Sequence, residues 1–279
     1  MPRQLEPGQT RLEPVRTRLE PGWALILGAS SGFGAAAARA FAGAGLDVAG
    51  VHLDRRATLP LAEHVAKDVE AAGRRARFFN VNAADADQRA AVVAALADES
   101  RGGPGVRVLL HSLAFGTLRP FVTASSEDVV SASQMAMTLQ VMATSLVEWV
   151  QALVAAGRLE RGARIFAMTS EGSSRAMPSY GPVSVAKAAL EAAIRQLAIE
   201  LAPFEVTANA IQAGVTDTPA VRKIPGHERM LEQTRARNPH GRLTQPEDVA
   251  GALVALSAPG CGWLTGNVIR VDGGEAIAG

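Results

Sequence analysis

One cysteine stands in 279 residues, Cys261, which excludes an intramolecular disulfide and fits a reducing cytosol. With so little cysteine and five histidines there is no Cys/His cluster of the kind that holds zinc, so no metal site is expected. Charge of one sign is also lacking. Twenty-eight basic and 27 acidic residues leave a formal net charge of +1, too little to gather nucleic acid or an anionic membrane surface. No uninterrupted apolar run approaches the roughly 18 residues of a spanning helix. No basic segment followed by an apolar one marks a secretory leader, so a cytoplasmic location is expected. Tyrosine is nearly absent too: Tyr180 is the only one.

What is abundant is aliphatic side chain. Hydrophobic residues make up 48% of the chain, enough for one large core. Residues 1–21 differ from the rest, with Leu-Glu-Pro occurring at Leu5–Pro7, Leu12–Pro14 and Leu19–Pro21. Prolines at that density prevent a continuous helix, and three leucines are too few to build a core, so an extension is expected there. From Trp23, short apolar runs alternate with longer amphipathic ones. Strands are expected at 23–28, 46–52, 76–81, 105–112, 162–169, 204–210 and 266–271, and helices at 33–44, 58–72, 85–99, 125–156, 182–202 and 246–257. Apolar strands alternating with helices indicate a parallel sheet covered on both faces. Right-handed crossovers make it an α/β, doubly wound, seven-stranded Rossmann-type sheet in a single domain, 22–279. The stretch 213–245, rich in Pro, Gly, Arg and Thr, is long for a connection and reads as a substrate lid.

Gly28-Ala-Ser30-Ser31-Gly32-Phe33-Gly34 follows the first strand and opens a helix. Glycines there permit a tight turn and close backbone approach, and helix N-terminal amides face phosphate oxygens. Cofactor choice falls to the tip of the second strand, Val51-His52-Leu53-Asp54-Arg55-Arg56. An acid at the tip would accept a ribose 2′-hydroxyl, whereas arginine favours a 2′-phosphate. His52 occupies the tip, with Arg55 and Arg56 beyond it, so NADPH is expected, while Asp54 keeps NADH open.

Tyr180 and Lys187 are separated by six residues. Pro182 suits the first helical position, which leaves Tyr180 in the preceding loop. Seven helical residues rise roughly 10 Å, nearly two turns, so a tyrosine folding back before the first turn can approach the lysine. Ser170 ends the fifth strand ten positions before Tyr180.

A glycine turn followed by such a pair resembles the short-chain dehydrogenase/reductase family. Its common ketone- and alcohol-processing members have three residues between Tyr and Lys, which here would require tyrosine at Val183. Ser170-x9-Tyr180-x6-Lys187, followed by Ala188-Ala-Leu-Glu-Ala, is similar instead to the NADPH-dependent bacterial enoyl-acyl-carrier-protein reductases. His111-Ser112-Leu113-Ala114-Phe115-Gly116 resembles the same branch, most relatives having Asn-Asn-Ala-Gly there; His111 alone reads as a packed strand histidine. Other enoyl reductases carry a second tyrosine at the place of Ser170.

The resemblance covers about residues 22–274 and implies roles. Tyr180, Lys187 and Ser170 would be catalytic, and Gly116 and Tyr180 would adjoin substrate. Asn80 and Val81 would meet adenine, and Ser112, Leu113 and Ala114 would line the dinucleotide. Gly214, Thr216 and Thr218 would clamp the nicotinamide and pyrophosphate, with Ala213 where many members have proline. Asn267-Val-Ile-Arg-Val-Asp-Gly-Gly matches the family's last strand, and Gln140 stands where many have asparagine. Helices 125–156 and 182–202, apolar on more than one face, would form a four-helix interface of a homodimer or homotetramer. The implied substrate is a 2-enoyl thioester on CoA or acyl carrier protein. A carbonyl reductase of the same family and a catalytically silent nucleotide-binding scaffold are the alternatives.

Overall fold

In the computed structural model the described residues are 17–99, 103–224 and 226–278. The seven strands are β1 (Trp23–Leu27), β2 (Asp47–His52), β3 (Ala76–Asn80), β4 (Val106–His111), β5 (Leu159–Thr169), β6 (Thr207–Ala213) and β7 (Val268–Val271). They form one sheet in the order β3-β2-β1-β4-β5-β6-β7, every neighbour parallel. Chain order reverses between β1 and β4, the place where such sheets open a crevice at their carboxyl edge.

Helices α1 (Gly32–Gly43), α2 (Leu59–Ala71), α3 (Ala86–Glu99), α4 (Ala132–Leu139), α5 (Ser145–Ala155), α6 (Gly181–Glu200), α7 (His227–Arg237) and α8 (Pro246–Leu256) supply the crossovers and the lid segment. Two apolar clusters lie on the two faces of the sheet. Trp149, Leu146, Leu153, Leu190 and Ile194 cover one, and Phe41, Val65, Val249 and Leu253 cover the other. The strands alternate side chains between these faces, so β1 is buried at all five positions.

Four expectations change. The sixth strand begins at Thr207, not 204, because Ala202–Phe204 form a 3-10 turn and Glu205 takes a left-handed φ of 56°. The helix expected at 125–156 begins at Ala132, where Ser131 caps it through a reciprocal box with Gln134. A π-helical turn at Gln140–Thr144 then separates α4 from α5. The stretch 213–245, read as a connection, contains helix α7.

The span Ala132–Ala155 is long and apolar enough, by composition, to cross a membrane, with a mean hydropathy of 1.2. No single apolar run signals it, and here it packs Leu146, Trp149 and Leu153 into the core. The fourth change concerns the N-terminal segment. Leu5–Pro7 and Leu12–Pro14 lie outside the described residues, but the third repeat is docked. Leu19 is 5% exposed within the second cluster, its amide donates to Ala44 O at 2.9 Å, and Glu20 pairs with Arg107 at 2.9 Å. Folded packing therefore starts before residue 22. Leu19→Ala should lower the unfolding free energy by about 2–5 kcal/mol in urea titration, as for other buried leucines; an unchanged midpoint would make Leu19 a passive passenger.

Candidate active site

The carboxyl edge of the sheet is built around the glycine turn. A Cβ on Gly28 would stand 2.4 Å from Ser112 O, and one on Gly34 would stand 2.0 Å from Gly28 O. Glycine is thus required for β1, β4 and the start of α1 to meet so closely. Ser31 caps α1 with no side-chain bond to the helix, and no acid occupies its first turn. The first amides of α1, with Ser30, Gly32 and Phe33 half-buried beside them, are left to an anion. Thr218 leans over this turn, its methyl 3.5 Å from where a Gly32 Cβ would be. Thr216 is buried and donates to Gly214 O at 3.0 Å. The clamp segment therefore reaches the glycine turn across the cleft, as a bound dinucleotide would need.

At the tip of β2, His52 Nδ1 lies 2.9 Å from Asp54 Oδ2, and His52 tilts against Phe78. Asn80 holds the same turn twice: its Oδ1 accepts from Asp54 N at 2.8 Å and its Nδ2 donates to Asp54 O at 3.0 Å. Both ends of the Asn80 amide are thus engaged within the protein, while Val81 is half-buried and donates its amide to His52 O. Asp54 turns its carboxylate inward to His52, and Arg55 and Arg56 are the exposed residues beyond it. Ser112 N is tied to Leu27 O at 2.8 Å, Leu113 packs on the core, and Ala114 is exposed. Gly116 fits between α4 and α6: a Cβ there would meet Met142, Val183 and Thr138 within 3 Å.

The candidate catalytic residues sit where β5 meets α6. Tyr180 is the N-cap of α6 and Pro182 its second residue, one later than expected. Tyr180 packs against the buried cluster of Met142, Val183 and Ala186, as does Leu118. Gly172 lies against the tyrosine so tightly that a Cβ would be 2.5 Å from the ring edge. Burial raises the phenol pKa above its usual 10, with the nearby Ser170 hydroxyl pulling the other way. Ser170 Oγ is itself buried and, among the described residues, has no hydrogen-bond partner that meets full bonding geometry. Lys187 is 5% exposed and donates to Met168 O at 2.7 Å. Burial pushes its pKa down to about 8, and Glu191, one turn on, resists that fall. Glu191 in turn accepts from Thr169 Oγ1 at 2.6 Å, fastening α6 to the end of β5.

Other residues at this edge had no signature in the sequence. Phe121 rests on Gly181 beside Tyr180, closer than any Cβ would permit. Arg237 of α7 bridges Glu171 at 3.6 Å and Glu275 at 3.2 Å, and Glu275 accepts from Val215 N at 3.0 Å. The segment between β6 and α8 is thereby tied to the residue after Ser170. His111 is a packed strand histidine: it is fully buried, 2.9 Å from Ser145 Oγ, and held neutral by burial with its pKa down to about 3.

Residues 28–275 match the family model described as enoyl-(acyl carrier protein) reductase. The chain belongs to this family of short-chain dehydrogenase/reductases. It is an oxidoreductase. The 1-cyclohexenylcarbonyl-CoA reductase of Streptomyces collinus is 34% identical over 125 residues, 43% of each chain. The enoyl-[acyl-carrier-protein] reductase [NADH] of Aquifex aeolicus is 31% identical over 172 residues, 62% of this chain and 63% of that one. These alignments therefore span less than two thirds of either relative. A crystal structure of the Aquifex enzyme has the same fold, with a TM-score of 0.81 at 24% identity over 94% of this chain and 98% of that one. A short chain dehydrogenase from Burkholderia cenocepacia, solved with NADP, is 27% identical over 95% of this chain and all of its own, with a TM-score of 0.76.

Neighbours of this fold have been solved with NAD and with NADP, and the cradle at Gly28–Gly34, the buried Ser170 hydroxyl and the buried Lys187 ammonium fit such a group. Lys187 is charged below pH about 8 and neutral above it, whereas the phenol keeps its proton past 10. The activity dependent on this cation should therefore fall as pH rises through about 8, and an anionic dinucleotide bound next to it would move that limb upward. A profile of kcat/KM from about pH 6 to 10 tests this. A flat profile, or a limb that survives in Lys187→Met, would assign the pH dependence elsewhere.

Proposed function

We propose that this reductase uses NADPH to reduce the carbon–carbon double bond of a 2-enoyl thioester carried on CoA or acyl carrier protein. The observation that carries the reading is the set Ser170, Tyr180 and Lys187: a buried hydroxyl left without a partner, a protonated phenol, and a buried ammonium two turns along the same helix. When bound, the dinucleotide supplies hydride to Cβ of the acyl group. Electron density then moves to the thioester oxygen, which becomes an enolate. Tyr180 donates a hydrogen bond to that oxygen where charge develops, and Ser170 Oγ offers a second. Lys187 holds the nicotinamide ribose hydroxyls and adds positive potential behind the phenol. A proton delivered to Cα, by water or a relay, completes the reduction.

The preference for NADPH rests on the β2 tip. The Asp54 carboxylate faces His52, Asn80 fixes the backbone of Asp54, and exposed Arg55 and Arg56 offer planar donors suited to a 2′-phosphate. Phe121, against Gly181 next to the tyrosine, and Leu118, on the cluster that Tyr180 also packs against, would supply apolar surface for an acyl group. By resemblance to the family we place the enzyme in the cytoplasm as a homodimer or homotetramer joined through α4, α5 and α6.

Consumption of NADPH with crotonyl-CoA and with acetoacetyl-CoA separates the chemistry. Turnover of the enoyl thioester is expected. Turnover of the ketone alone would convert the reading to carbonyl reduction, and binding of NADPH with no turnover of either would leave a silent scaffold.

A further inference from the structure

The opposite edge of the sheet holds a cavity of about 770 Å³, within the roughly 300–1,000 Å³ range of small-molecule sites. It opens among the starts of β4, β5 and β6 and the turn that leads into β7. Arg164 and Thr207 face each other across β5 and β6, and both line it. Each is 5% exposed, and among the described residues each has a polar atom with no hydrogen-bond partner: Arg164 Nε and Thr207 Oγ1. The Arg164 guanidinium is answered only by backbone, donating from Nη1 to Gly162 O at 2.6 Å and to Ala163 O at 3.4 Å. Among the described residues no carboxylate forms an ion pair with it.

The other two arginines on the wall are answered. Arg107 pairs with Glu20 at 2.9 Å and Glu160 at 3.9 Å, and Arg161 pairs with Glu205. Around this wall three arginines (107, 161, 164) meet three glutamates (20, 160, 205), and among the described residues the three carboxylates pair with Arg107 and Arg161, not with Arg164. Burial holds the Arg164 pKa below its usual value, with Cys261 and Glu20 opposing the fall and Arg107 adding to it. A buried guanidinium with no anion is costly, and native structures normally resolve such a charge with a partner.

We propose that this cavity binds a compact molecule bearing an oxyanion, phosphate or carboxylate, seated on Arg164 and Thr207. An oxyanion accepts from the guanidinium Nε and from the threonine hydroxyl together, satisfying both orphaned donors with charge-assisted bonds. The apolar part of the molecule lies against Ala198 and Val206, under the indole of Trp263, which is 97% exposed at the mouth. Ser170 lies six positions beyond Arg164, roughly 20 Å along the strand direction. The site is therefore distinct from the dinucleotide cleft and does not depend on the reaction assigned there.

Isothermal titration of the full chain tests it, using sodium phosphate and sodium citrate at constant ionic strength, with and without NADPH, and sodium chloride as blank. One saturable site per chain that persists with NADPH present is expected, and the tighter of the two anions identifies the chemistry. Arg164→Met and Thr207→Val should each weaken binding about tenfold to a hundredfold. Should Arg164→Met fail to fold, Arg164→Lys, which keeps the charge but loses the fork, should still weaken binding by about tenfold. Phosphorus NMR line broadening of phosphate by the unaltered protein gives a second reading. No saturable binding of either anion, equal affinity in the variants, or concentration-dependent self-association that closes the cavity without any anion effect would overturn the proposal.

Discussion

One contact organises the reactive edge: the Lys187 ammonium, buried inside the protein and bound to the carbonyl of Met168. A buried cation survives only where it is hydrogen-bonded and kept near compensating charge. Here the carbonyl at the end of β5 and the Glu191 carboxylate provide both. Because Thr169 donates to Glu191, the same arrangement locks α6 to β5 in a single alignment. That alignment carries Tyr180, at the start of α6, to the end of the strand that delivers Ser170. Burial then tunes the two groups in opposite senses, weakening the hold of Lys187 on its proton and strengthening that of Tyr180. Near neutral pH the same helix thus carries a neutral donor at its start and a cation two turns on.

The topology explains why chemistry collects at one edge and structure at the other. The reversal between β1 and β4 opens the cleft, and the glycine turn lines it with unsatisfied amides. Thr218 crosses from β6 to the same turn, and Arg237 ties the lid helix to Glu171 and Glu275. At the amino edge, Leu19 plugs the core and Arg107 binds the segment around it. Arg164 and Thr207 remain there with donors unmet.

The fold was legible because buried parallel strands are written as apolar runs and crossovers as amphipathic ones. The glycine turn and the Tyr180–Lys187 pair were legible because their spacing encodes geometry within one segment. What escaped depended on contacts between distant segments. Helix α7 lies in a polar stretch with only Met230 and Leu231 to mark it, so its apolar period is faint. The π-helical turn at Gln140–Thr144 leaves no composition signal. Leu19 looked like one leucine among prolines, because nothing in the sequence shows the gap between α1 and β2 that it fills. Asn80 was assigned to a ligand by resemblance, and its two bonds to Asp54 emerge only when β2 and β3 lie side by side.

The central claim is that the Tyr180 phenol stabilises negative charge as it forms on the substrate oxygen. Single-turnover hydride transfer from NADPH to crotonyl-CoA by Tyr180→Phe tests it most directly. The account predicts a rate lower by about a hundredfold to a thousandfold, with dinucleotide affinity close to that of the unaltered enzyme. A rate within about twofold of the unaltered enzyme, well short of the loss expected for one such donor, would contradict it.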